Sequence, residues 1–418
     1  MSDLPHESNL IPRRARHTIL RALRDTRVVL VLGARQTGKS TLTADIATSD
    51  HPATAITLDD ETLRAAAEAD SRGFLSTYPP PVVIDEVQRV PELLIAIKAA
   101  VDRDKRPGQY LLTGSANIFT APRVYEALTG RVETIELWPL AQSEIERTTG
   151  NIVDSMFQGT PPRIDDAPVA GAAWVDRAAR GGYPEAQSRD DDARRPWFRS
   201  YVTSSIQRDL RDIADIQRVE EMPRLLRLLA AQATGLYSAR GVAAPLSLSD
   251  KTVGDYTRLL ETIYLVRRTP AWRTGLRARE GHVPKMYIVD TGLLASLLSV
   301  NGERIASDDQ VKGKVFENFV AMELVKHATW SEAEASLYHW REGRDEVDIV
   351  LESAAGEIVG VEAKATATVR SDHFSGLRKL KDRVGDRFVG GYVVCAGART
   401  LPFGDRLWAV PVSGLWSG

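Results

Sequence analysis

The sequence has a single cysteine, Cys395, among its 418 residues. One cysteine excludes an internal disulfide and a zinc site built from cysteines, and it fits a reducing compartment, so we expect a cytoplasmic protein. The uninterrupted apolar runs are no longer than a β-strand, which excludes a membrane-spanning segment. Arg13, Arg14 and Arg16 are followed by no apolar segment, so we expect no secretory signal.

An excess of charge of either sign is also missing. The 54 Lys and Arg residues against 56 Asp and Glu residues leave a net charge of -2. A surface that binds nucleic acid must therefore be a local basic patch. The hydrophobic content of 43% and the charged content of 26% are typical of a globular protein, and the length suffices for two or three domains.

Residues 33–40 match the G-x-x-x-x-G-K-[ST] pattern of a P-loop, with an apolar strand predicted over residues 28–32 and a helix over 41–46. Backbone N–H groups of such a loop converge at a helix N-terminus and bind a polyphosphate. Lys39 is expected to reach the β- and γ-phosphates, and the Ser40 hydroxyl to hold Mg²⁺. The sequence therefore predicts ATP and Mg²⁺ as cofactors. The predicted nucleotide-binding residues are Gly33, Ala34, Arg35, Gln36, Thr37, Gly38, Lys39, Ser40 and Thr41.

An apolar strand predicted over residues 81–84 ends in two carboxylates, Asp85 and Glu86. Asp85 is expected to hold Mg²⁺, and Glu86 is expected to orient and deprotonate the attacking water. Acidic pairs at strand ends are common, but a pair about 45 residues after a P-loop lysine is specific.

A fourth strand, predicted over residues 109–112, is followed by Thr113, Ser115 and Asn117. A small polar side chain there can bond the γ-phosphate or the attacking water, and we favour Ser115; an ordinary polar turn is the alternative. Arg131 begins a predicted fifth strand. It is either an arginine finger acting on a neighbouring subunit's ATP or a local salt-bridge partner.

Together with Leu58-Asp59-Asp60, Leu128-Thr129-Gly130-Arg131 and Gly181-Gly182-Tyr183-Pro184-Glu185, these motifs resemble a bacterial and archaeal AAA-type ATPase family. Its members carry a conserved C-terminal domain of poorly defined function, and the resemblance spans nearly the whole chain. It implies an AAA+ sheet in which the fourth strand lies beside the P-loop strand. It also implies a homo-oligomer, commonly a ring such as a hexamer.

The segment between Thr148 and Trp174 is rich in Gly, Pro, Ala and Asp and is predicted to be a linker or mobile insert. Residues 196–216 have helical spacing of apolar residues. Arg208 on this helix is either a second phosphate sensor or an ordinary surface salt-bridge partner.

A helix over residues 222–233, a tight turn at 247–249 and an amphipathic helix from Asp250 predict a helix–turn–helix. Residues 265–289 can return as a hairpin, which completes a winged helix. This region is locally basic, so DNA contact is expected, with packing against protein as the alternative. The candidate DNA contacts are Lys251, Arg258, Arg268, Arg273 and Arg277.

The C-terminal part begins with an amphipathic helix predicted over residues 311–328, which carries Glu317. The apolar side chains expected to face inward are Val315, Phe319, Met322 and Val325.

Asp348 lies on the next predicted strand, 346–351, and Glu362 and Lys364 lie on the strand 358–364. Side chains alternate along a strand, so Glu362 and Lys364 share a face. A helix Glu, a strand Asp and a Glu-x-Lys resemble the PD-(D/E)XK nuclease core. In such a core Asp348 and Glu362 coordinate Mg²⁺, Glu317 completes the metal shell, and Lys364 polarises the nucleophilic water. A domain kept only for binding is the alternative.

The expected fold class is α/β. We predict an AAA+ P-loop ATPase domain (1–147), a linker and helical segment (148–218), a winged helix (219–290) and a PD-(D/E)XK nuclease-like α/β domain (291–418). Three functions fit. The favoured one is an oligomeric ATP-driven motor on DNA, including forks and four-way junctions. The others are a nucleotide-gated switch that docks a protein partner and an ATP-regulated, metal-dependent nuclease.

Overall fold

The computed structural model describes residues 10–115, 128–164, 170–213, 218–275 and 282–417. The strands are β1 (Val28–Leu32), β2 (Thr54–Thr57), β3 (Val82–Asp85), β4 (Tyr110–Gly114), β5 (Val132–Glu136), β6 (Val266–Thr269), β7 (Lys285–Ile288), β8 (Ser336–Glu342), β9 (Asp345–Glu352), β10 (Ile358–Lys364), β11 (Phe388–Cys395), β12 (Leu401–Pro402) and β13 (Leu407–Pro411). The helices are α1 (Ala15–Asp25), α2 (Lys39–Thr48), α3 (Glu61–Ala69), α4 (Ser71–Thr77), α5 (Pro91–Arg103), α6 (Gln142–Ile145), α7 (Ile152–Phe157), α8 (Ala170–Arg180), α9 (Pro184–Gln187), α10 (Asp191–Ile213), α11 (Met222–Ala231), α12 (Ala239–Leu246), α13 (Asp250–Thr262), α14 (Thr291–Leu298), α15 (Gly302–Ser307), α16 (Asp309–Ala328) and α17 (Ser375–Val384).

The first sheet has the strand order β2-β3-β4-β1-β5, and each of its strand pairs is parallel. The predicted α/β class and the position of the fourth strand beside the P-loop strand are therefore confirmed. All five residues of β1 are buried, as expected for a central parallel strand. Because the strands are parallel, the segments after β1, β3 and β4 meet at one edge, and this edge carries the P-loop.

The helix α10 lies against this edge. It begins at Asp191 rather than at Pro196, so the proline lies inside the helix. The buried Arg194 anchors the early turns, since its side chain donates to the Ala186 carbonyl at 3.2 Å and to Asp191 at 2.6 Å. The contact with Ala186, which precedes the helix, cannot be read from helical periodicity.

The predicted linker contains a buried helix, α7, which corrects the prediction of a mobile insert over residues 152–157. Ile152, Val153 and Met156 are buried, and the Tyr392 hydroxyl donates to the Met156 carbonyl at 3.0 Å. The segment is ordered by contact with β11, far along the chain, which local composition does not reveal.

In the middle of the chain, α11, α12 and α13 precede a two-stranded antiparallel sheet of β6 and β7. The Ser249 hydroxyl accepts from the Thr252 N–H at the start of α13, as expected for a capping serine. Residues 276–281, between the two strands, lie outside the described residues.

The second large sheet has the order β12-β13-β11-β10-β9-β8 and mixes parallel and antiparallel pairs. Val359 and Val361 of β10 belong to the same apolar core as Phe316 of α16. Ile358 packs into a separate core with Leu377 of α17. Helices therefore cover both faces of this sheet.

From Val315 to His327 the long helix α16 is buried on almost every side, which corrects the prediction of an amphipathic helix for this part. The four residues expected to face inward are buried, but so are Glu323, Lys326 and His327. Lys326 Nζ lies 2.7 Å from Glu323 Oε1 and donates to the Leu140 carbonyl at 3.0 Å. These charges are paired inside the protein rather than solvated. In the described part of the chain, no helix combines the length and apolarity needed to cross a membrane.

Candidate functional site

The P-loop joins β1 to α2 as predicted. Gly38 precedes the first residue of α2 with a φ of 91°, a left-handed conformation that favours glycine. The Thr37 hydroxyl donates to the Ala34 carbonyl at 2.9 Å and braces the turn from within. The loop therefore presents the N-terminus of a ten-residue helix to the carboxyl edge of the sheet.

Lys39 is buried and curls back over the loop. Its Nζ donates to the carbonyls of Gly33 and Ala34, both at 2.9 Å. Burial lowers the pKa of Lys39 to about 8, although Glu86 and other nearby carboxylates act in the opposite direction. The ammonium is thus held at the centre of the loop in a poorly hydrated environment, where an anion would bind it strongly.

Ser40 and Asp85 meet at the end of β3. The Ser40 hydroxyl donates to Asp85 Oδ1 at 2.8 Å, and the Thr57 hydroxyl donates to Asp85 Oδ2 at 3.3 Å. The Thr113 hydroxyl donates to the same carboxylate from β4. The two predicted magnesium ligands, Ser40 and Asp85, are therefore brought together.

Their chemistry fits Mg²⁺, which prefers hydroxyl and carboxylate oxygens and keeps the rest of its shell for water and phosphate. Bound there with a nucleotide, the ion would be held by Ser40 and Asp85 and would supply positive charge to stabilise the phosphates during hydrolysis.

Glu86 sits in a left-handed conformation, with a φ of 58°. A non-glycine residue with this geometry is strained, and such strain concentrates at functional sites. The Glu86 N–H donates to the Thr113 hydroxyl at 3.0 Å, while Gln88 Nε2 donates both to the Glu86 carboxylate and to Ser115 Oγ. Ser115 is therefore linked through Gln88 to the residue predicted to activate water.

Asp209 of α10 completes this network. Ser115 Oγ donates to Asp209 Oδ1 at 3.3 Å, and Arg35 Nε of the P-loop donates to the same oxygen at 2.5 Å. Burial raises the pKa of Asp209 to about 6, against the attraction of Arg35. Asp209 is only 2% exposed, and its Oδ2 has no hydrogen-bond partner among the described residues.

A cavity of about 560 Å³ opens beside the P-loop, next to Gly38 and Thr41. Its apolar walls are Leu10, Ile11, Pro12, Leu42, Leu140 and Pro184. The Leu140 N–H donates to the Gly182 carbonyl at 2.7 Å, and a Cβ on Gly182 would lie 2.2 Å from the Leu140 carbonyl oxygen. The glycine before Tyr183 thus allows two walls of the cavity to approach each other.

Arg131 lies at the opposite edge of the first sheet. It precedes Val132, which is in register with Val28 at the start of β1. Its guanidinium forms an ion pair with Asp102, with one N–O distance of 3.1 Å. Arg208 also forms an ion pair, with Asp59 at 2.9 Å.

The predicted DNA contacts on α13 are exposed. Lys251 faces solvent, and Arg258 is exposed although it also pairs with Asp255. They lie on one helix and are available to an approaching anion.

The predicted contacts near the two-stranded sheet are engaged within the protein. Arg268 lies 2.6 Å from Glu261 Oε2, and Arg273 donates to the Arg341 carbonyl at 2.7 Å. Arg277 lies outside the described residues.

Three residues of the predicted nuclease-like set, Asp348, Glu362 and Lys364, lie close together. Pairing of β9 with β10 ends at Ile349 and Val361, and Asp348 Oδ2 then accepts from the Ala363 N–H at 3.1 Å. Lys364 Nζ lies 2.8 Å from Glu362 Oε2 and 3.9 Å from Asp348 Oδ2. We call Glu317, Asp348 and Glu362 the carboxylate cluster.

A second lysine, from outside the predicted set, enters this cluster. Lys285 Nζ of β7 lies 2.9 Å from Glu317 Oε1 and 2.9 Å from Asp348 Oδ1. Burial and the neighbouring Asp348 raise the pKa of Glu317 to about 7. Burial acts to raise the pKa of Asp348 as well, but Lys285 and Lys364 outweigh it and lower that pKa to about 2.

Sequence reasoning missed two central residues. Asp209 is one of many charged residues on a long helix, and no motif marks it. Lys285 was visible only as one basic residue of the predicted hairpin. Only the fold shows that each contacts a site residue distant in the sequence.

Three family models match the chain. A model described as an AAA domain matches residues 25–146, and two domains of unknown function, DUF8612 and DUF4143, match residues 171–304 and 312–415. Uncharacterized protein Rv2008c of Mycobacterium tuberculosis and uncharacterized protein Mb2031c of Mycobacterium bovis are each 31% identical over 410 residues, covering 96% of this chain and 84% of theirs.

Among solved structures, a variant of RuvB from Thermotoga maritima is similar with a TM-score of 0.30 and 18% identity, over 62% of this chain and 88% of RuvB. A signal transduction ATPase with numerous domains and a tetratricopeptide repeat sensor, from Pyrococcus horikoshii, has a TM-score of 0.27 and 14% identity, over 77% of this chain and 46% of that one. Likeness at this level supports no statement about function.

Proposed function

Because the chain belongs to the family of AAA-type P-loop ATPases with a C-terminal DUF4143 domain, we propose that it is a magnesium-dependent ATP hydrolase. The observation that carries the proposal is the meeting of Ser40 and Asp85 beside the buried ammonium of Lys39. Lys39 binds the β- and γ-phosphates, the loop N–H groups bind the remaining phosphate oxygens, and Ser40 and Asp85 hold Mg²⁺.

Glu86 accepts the proton of the attacking water in this proposal, and Gln88 and Ser115 fix the position of its carboxylate. The cavity beside Gly38 takes the nucleoside, because its apolar walls can cover the faces of a base while Thr41 lies beside the P-loop.

Glu86→Gln is the direct test. We expect ATP hydrolysis to fall by about 100-fold or more, while ATP with Mg²⁺ still raises the melting temperature. Glu92→Gln is the matched control, because it makes the same chemical change at an exposed glutamate at the start of α5. Wild-type turnover in Glu86→Gln contradicts the assignment.

We further propose that hydrolysis drives movement on DNA, including branched DNA such as forks and four-way junctions. The support is the exposed pair Lys251 and Arg258 on α13, the second helix of the predicted helix–turn–helix. Phosphate contacts position a protein on DNA without reading its sequence.

The test measures the rate of ATP hydrolysis with single-stranded, duplex and branched DNA at low salt. We expect DNA to raise the rate. The double variant Lys251→Ala with Arg258→Ala is expected to weaken this stimulation. Lys105→Ala with Arg106→Ala removes the same charge from another exposed surface and is expected to leave it intact. A rate that no DNA changes removes the DNA proposal.

A second candidate is a nucleotide-gated switch that docks a protein. The ion pair of Arg268 with Glu261 and the hydrogen bond from Arg273 to the Arg341 carbonyl favour it, because both side chains are already engaged within the protein. It predicts slow hydrolysis at a rate that DNA does not change. It also predicts a defined protein partner that binds only one nucleotide state of the chain.

The nuclease alternative is tested separately by DNA cleavage with Mg²⁺ or Mn²⁺. Wild-type protein and Asp348→Ala are compared at equal concentration. Cleavage no greater than that of the variant removes this alternative.

A further inference from the structure

The carboxylate cluster has the residue types of a metal site, but its central position is taken. Glu317 Oε1 and Asp348 Oδ1 both lie 2.9 Å from Lys285 Nζ. A divalent cation shared by these two carboxylates would have to lie between the same two oxygens. The remaining carboxylate, Glu362, is paired with Lys364 at 2.8 Å. Each of the three acids thus has an ammonium group within 2.9 Å, and a divalent cation placed between Glu317 and Asp348 would be repelled at close range by the ammonium of Lys285.

Lys285 is also fixed in place. It is in register with Thr269 in the two-stranded sheet, and its side chain is 7% exposed. Asn318 of α16, next to Glu317, also holds this strand, since it accepts from the Ile288 N–H at 2.9 Å and donates to the Ile288 carbonyl at 2.8 Å. To withdraw its ammonium, Lys285 would have to give up ion pairs with two buried carboxylates.

A phenol completes the enclosure of Glu317. The Tyr287 hydroxyl donates to Glu317 Oε1 at 3.2 Å, the oxygen that also accepts from Lys285. This oxygen is thus satisfied by two protein donors. The donor set suits an internal ammonium and does not fit a metal ion in addition to it.

We propose that the ammonium of Lys285 is a built-in cation that stands in the position of a divalent metal ion between Glu317 and Asp348, so that the wild-type cluster binds no divalent cation and removal of Lys285 creates a divalent cation site. The cluster ties β7 to α16 and β9, and it supplies no metal for phosphodiester cleavage.

The experiment measures Mn²⁺ binding to the full chain without nucleotide, from the electron paramagnetic resonance signal of free Mn²⁺. We expect no Asp348-dependent binding in the wild type. Lys285→Met, which keeps the length of the side chain and removes its charge, is expected to bind one additional Mn²⁺ with a Kd of about 0.1 mM. Lys285→Met with Asp348→Asn is expected to lose this ion.

Lys285→Arg is the control that retains the charge, and it is expected to behave as the wild type. The proposal is overturned if Asp348→Asn reduces Mn²⁺ binding by the wild-type chain, or if folded Lys285→Met binds no more Mn²⁺ than the wild type.

Unpaired carboxylates could prevent Lys285→Met from folding, so Lys285→Gln, which keeps a hydrogen-bond donor, is the second variant. If both variants unfold, Mn²⁺ is added during refolding and the circular dichroism of the native chain is the readout. Recovery with Mn²⁺ supports the proposal, and failure to recover overturns it.

Discussion

Arg35 Nε lies 2.5 Å from Asp209 Oδ1, although 174 positions separate the two residues in the chain. A second nitrogen of Arg35, NH2, is 3.9 Å from Glu86 Oε2. The P-loop arginine therefore lies between the carboxylate of α10 and the carboxylate proposed to activate water. Any motion of α10 would change how strongly Arg35 interacts with Glu86.

Asp209→Asn removes the charge that holds Arg35. We expect Arg35 then to pair more closely with Glu86, which makes the Glu86 carboxylate a weaker base. The kcat for ATP hydrolysis should therefore fall by about tenfold, with little change in nucleotide affinity. The pKa of Asp209 is about 6, so the wild-type rate should fall as Asp209 is protonated below pH 6, and the variant should lack this step. Steady-state kinetics between pH 5 and 8 measure both effects.

Asp59→Asn is the matched control for Asp209→Asn, because Asp59 pairs with Arg89 and Arg208 on the surface. It is expected to keep the wild-type rate and pH profile. An unchanged kcat and profile in Asp209→Asn would show that the Arg35 contact is structural only.

Nucleotide affinity is expected to depend on the charge of Lys39. Burial lowers its pKa to about 8, whereas a bound triphosphate favours the protonated ammonium. Above pH 8 the free protein must take up a proton to bind, so a non-hydrolysable ATP analogue should bind about tenfold more weakly at pH 9 than at pH 7.

Isothermal titration calorimetry in two buffers of different ionisation enthalpy measures this affinity and the proton uptake together. Lys39→Arg keeps its charge over the whole range and should show no such loss between pH 7 and 9. Equal affinity of the wild type at both pH values would place the titration on another group.

His327 is expected to make the folded protein sensitive to acid. Its Nε2 lies 3.1 Å from Ser143 Oγ, and burial, together with the charge of Lys326, lowers its pKa to about 3. The unfolded chain takes up this proton near pH 6.5 and the folded chain does not. The contribution of His327 is therefore complete above pH 6.5 and is lost as the pH falls toward 3, by about 1.4 kcal/mol per pH unit.

Urea unfolding of the wild type and His327→Gln at pH 7.5, 6.5 and 5 measures this contribution. The difference in the free energy of unfolding should shift by roughly 2 kcal/mol between pH 6.5 and 5, in favour of the variant. Glu317 and Asp209 have raised pKa values and act in the opposite direction, but they are present in both proteins and cancel. Parallel pH curves would contradict the prediction.

Arg131 lies a full strand length from the P-loop of its own chain, so as an arginine finger it can only act on a neighbouring subunit. We expect Arg131→Ala to lower the rate of ATP hydrolysis and Asp102→Asn, which removes its ion-pair partner, to preserve it. Mixing Arg131→Ala with Glu86→Gln should restore part of the rate, because each variant supplies what the other lacks. An equal loss in Asp102→Asn would assign Arg131 a structural role.

Local sequence patterns were sufficient to predict the P-loop and the neighbouring acid pair. The glycine spacing of the P-loop and the apolar strand before Asp85 depend on residues close in sequence, and the structure brings Ser40 to Asp85 as these patterns predicted. The order of the parallel strands followed from the family resemblance rather than from periodicity.

The polar contacts between distant elements were not predictable in the same way. The predicted linker proved to contain α7, which accepts a hydrogen bond from Tyr392 of β11. Most residues between Val315 and His327 of α16 are buried, and Lys326 and Glu323 pair with each other there. Composition gives only the average residue content of a segment. Whether the segment is ordered and buried depends on which distant part of the chain it packs against.

The sequence alone thus determined the phosphate loop and the acid pair, since each rests on backbone conformation and the period of a strand or helix. The grouping of the C-terminal carboxylates was expected only from the resemblance to a nuclease core. Only the tertiary structure decided that Asp209 holds Arg35 and that Lys285 stands between Glu317 and Asp348. The sequence does not show which group a charged side chain will pair with. The fold determines the partner, because a buried charge must be compensated by a group that the fold places beside it.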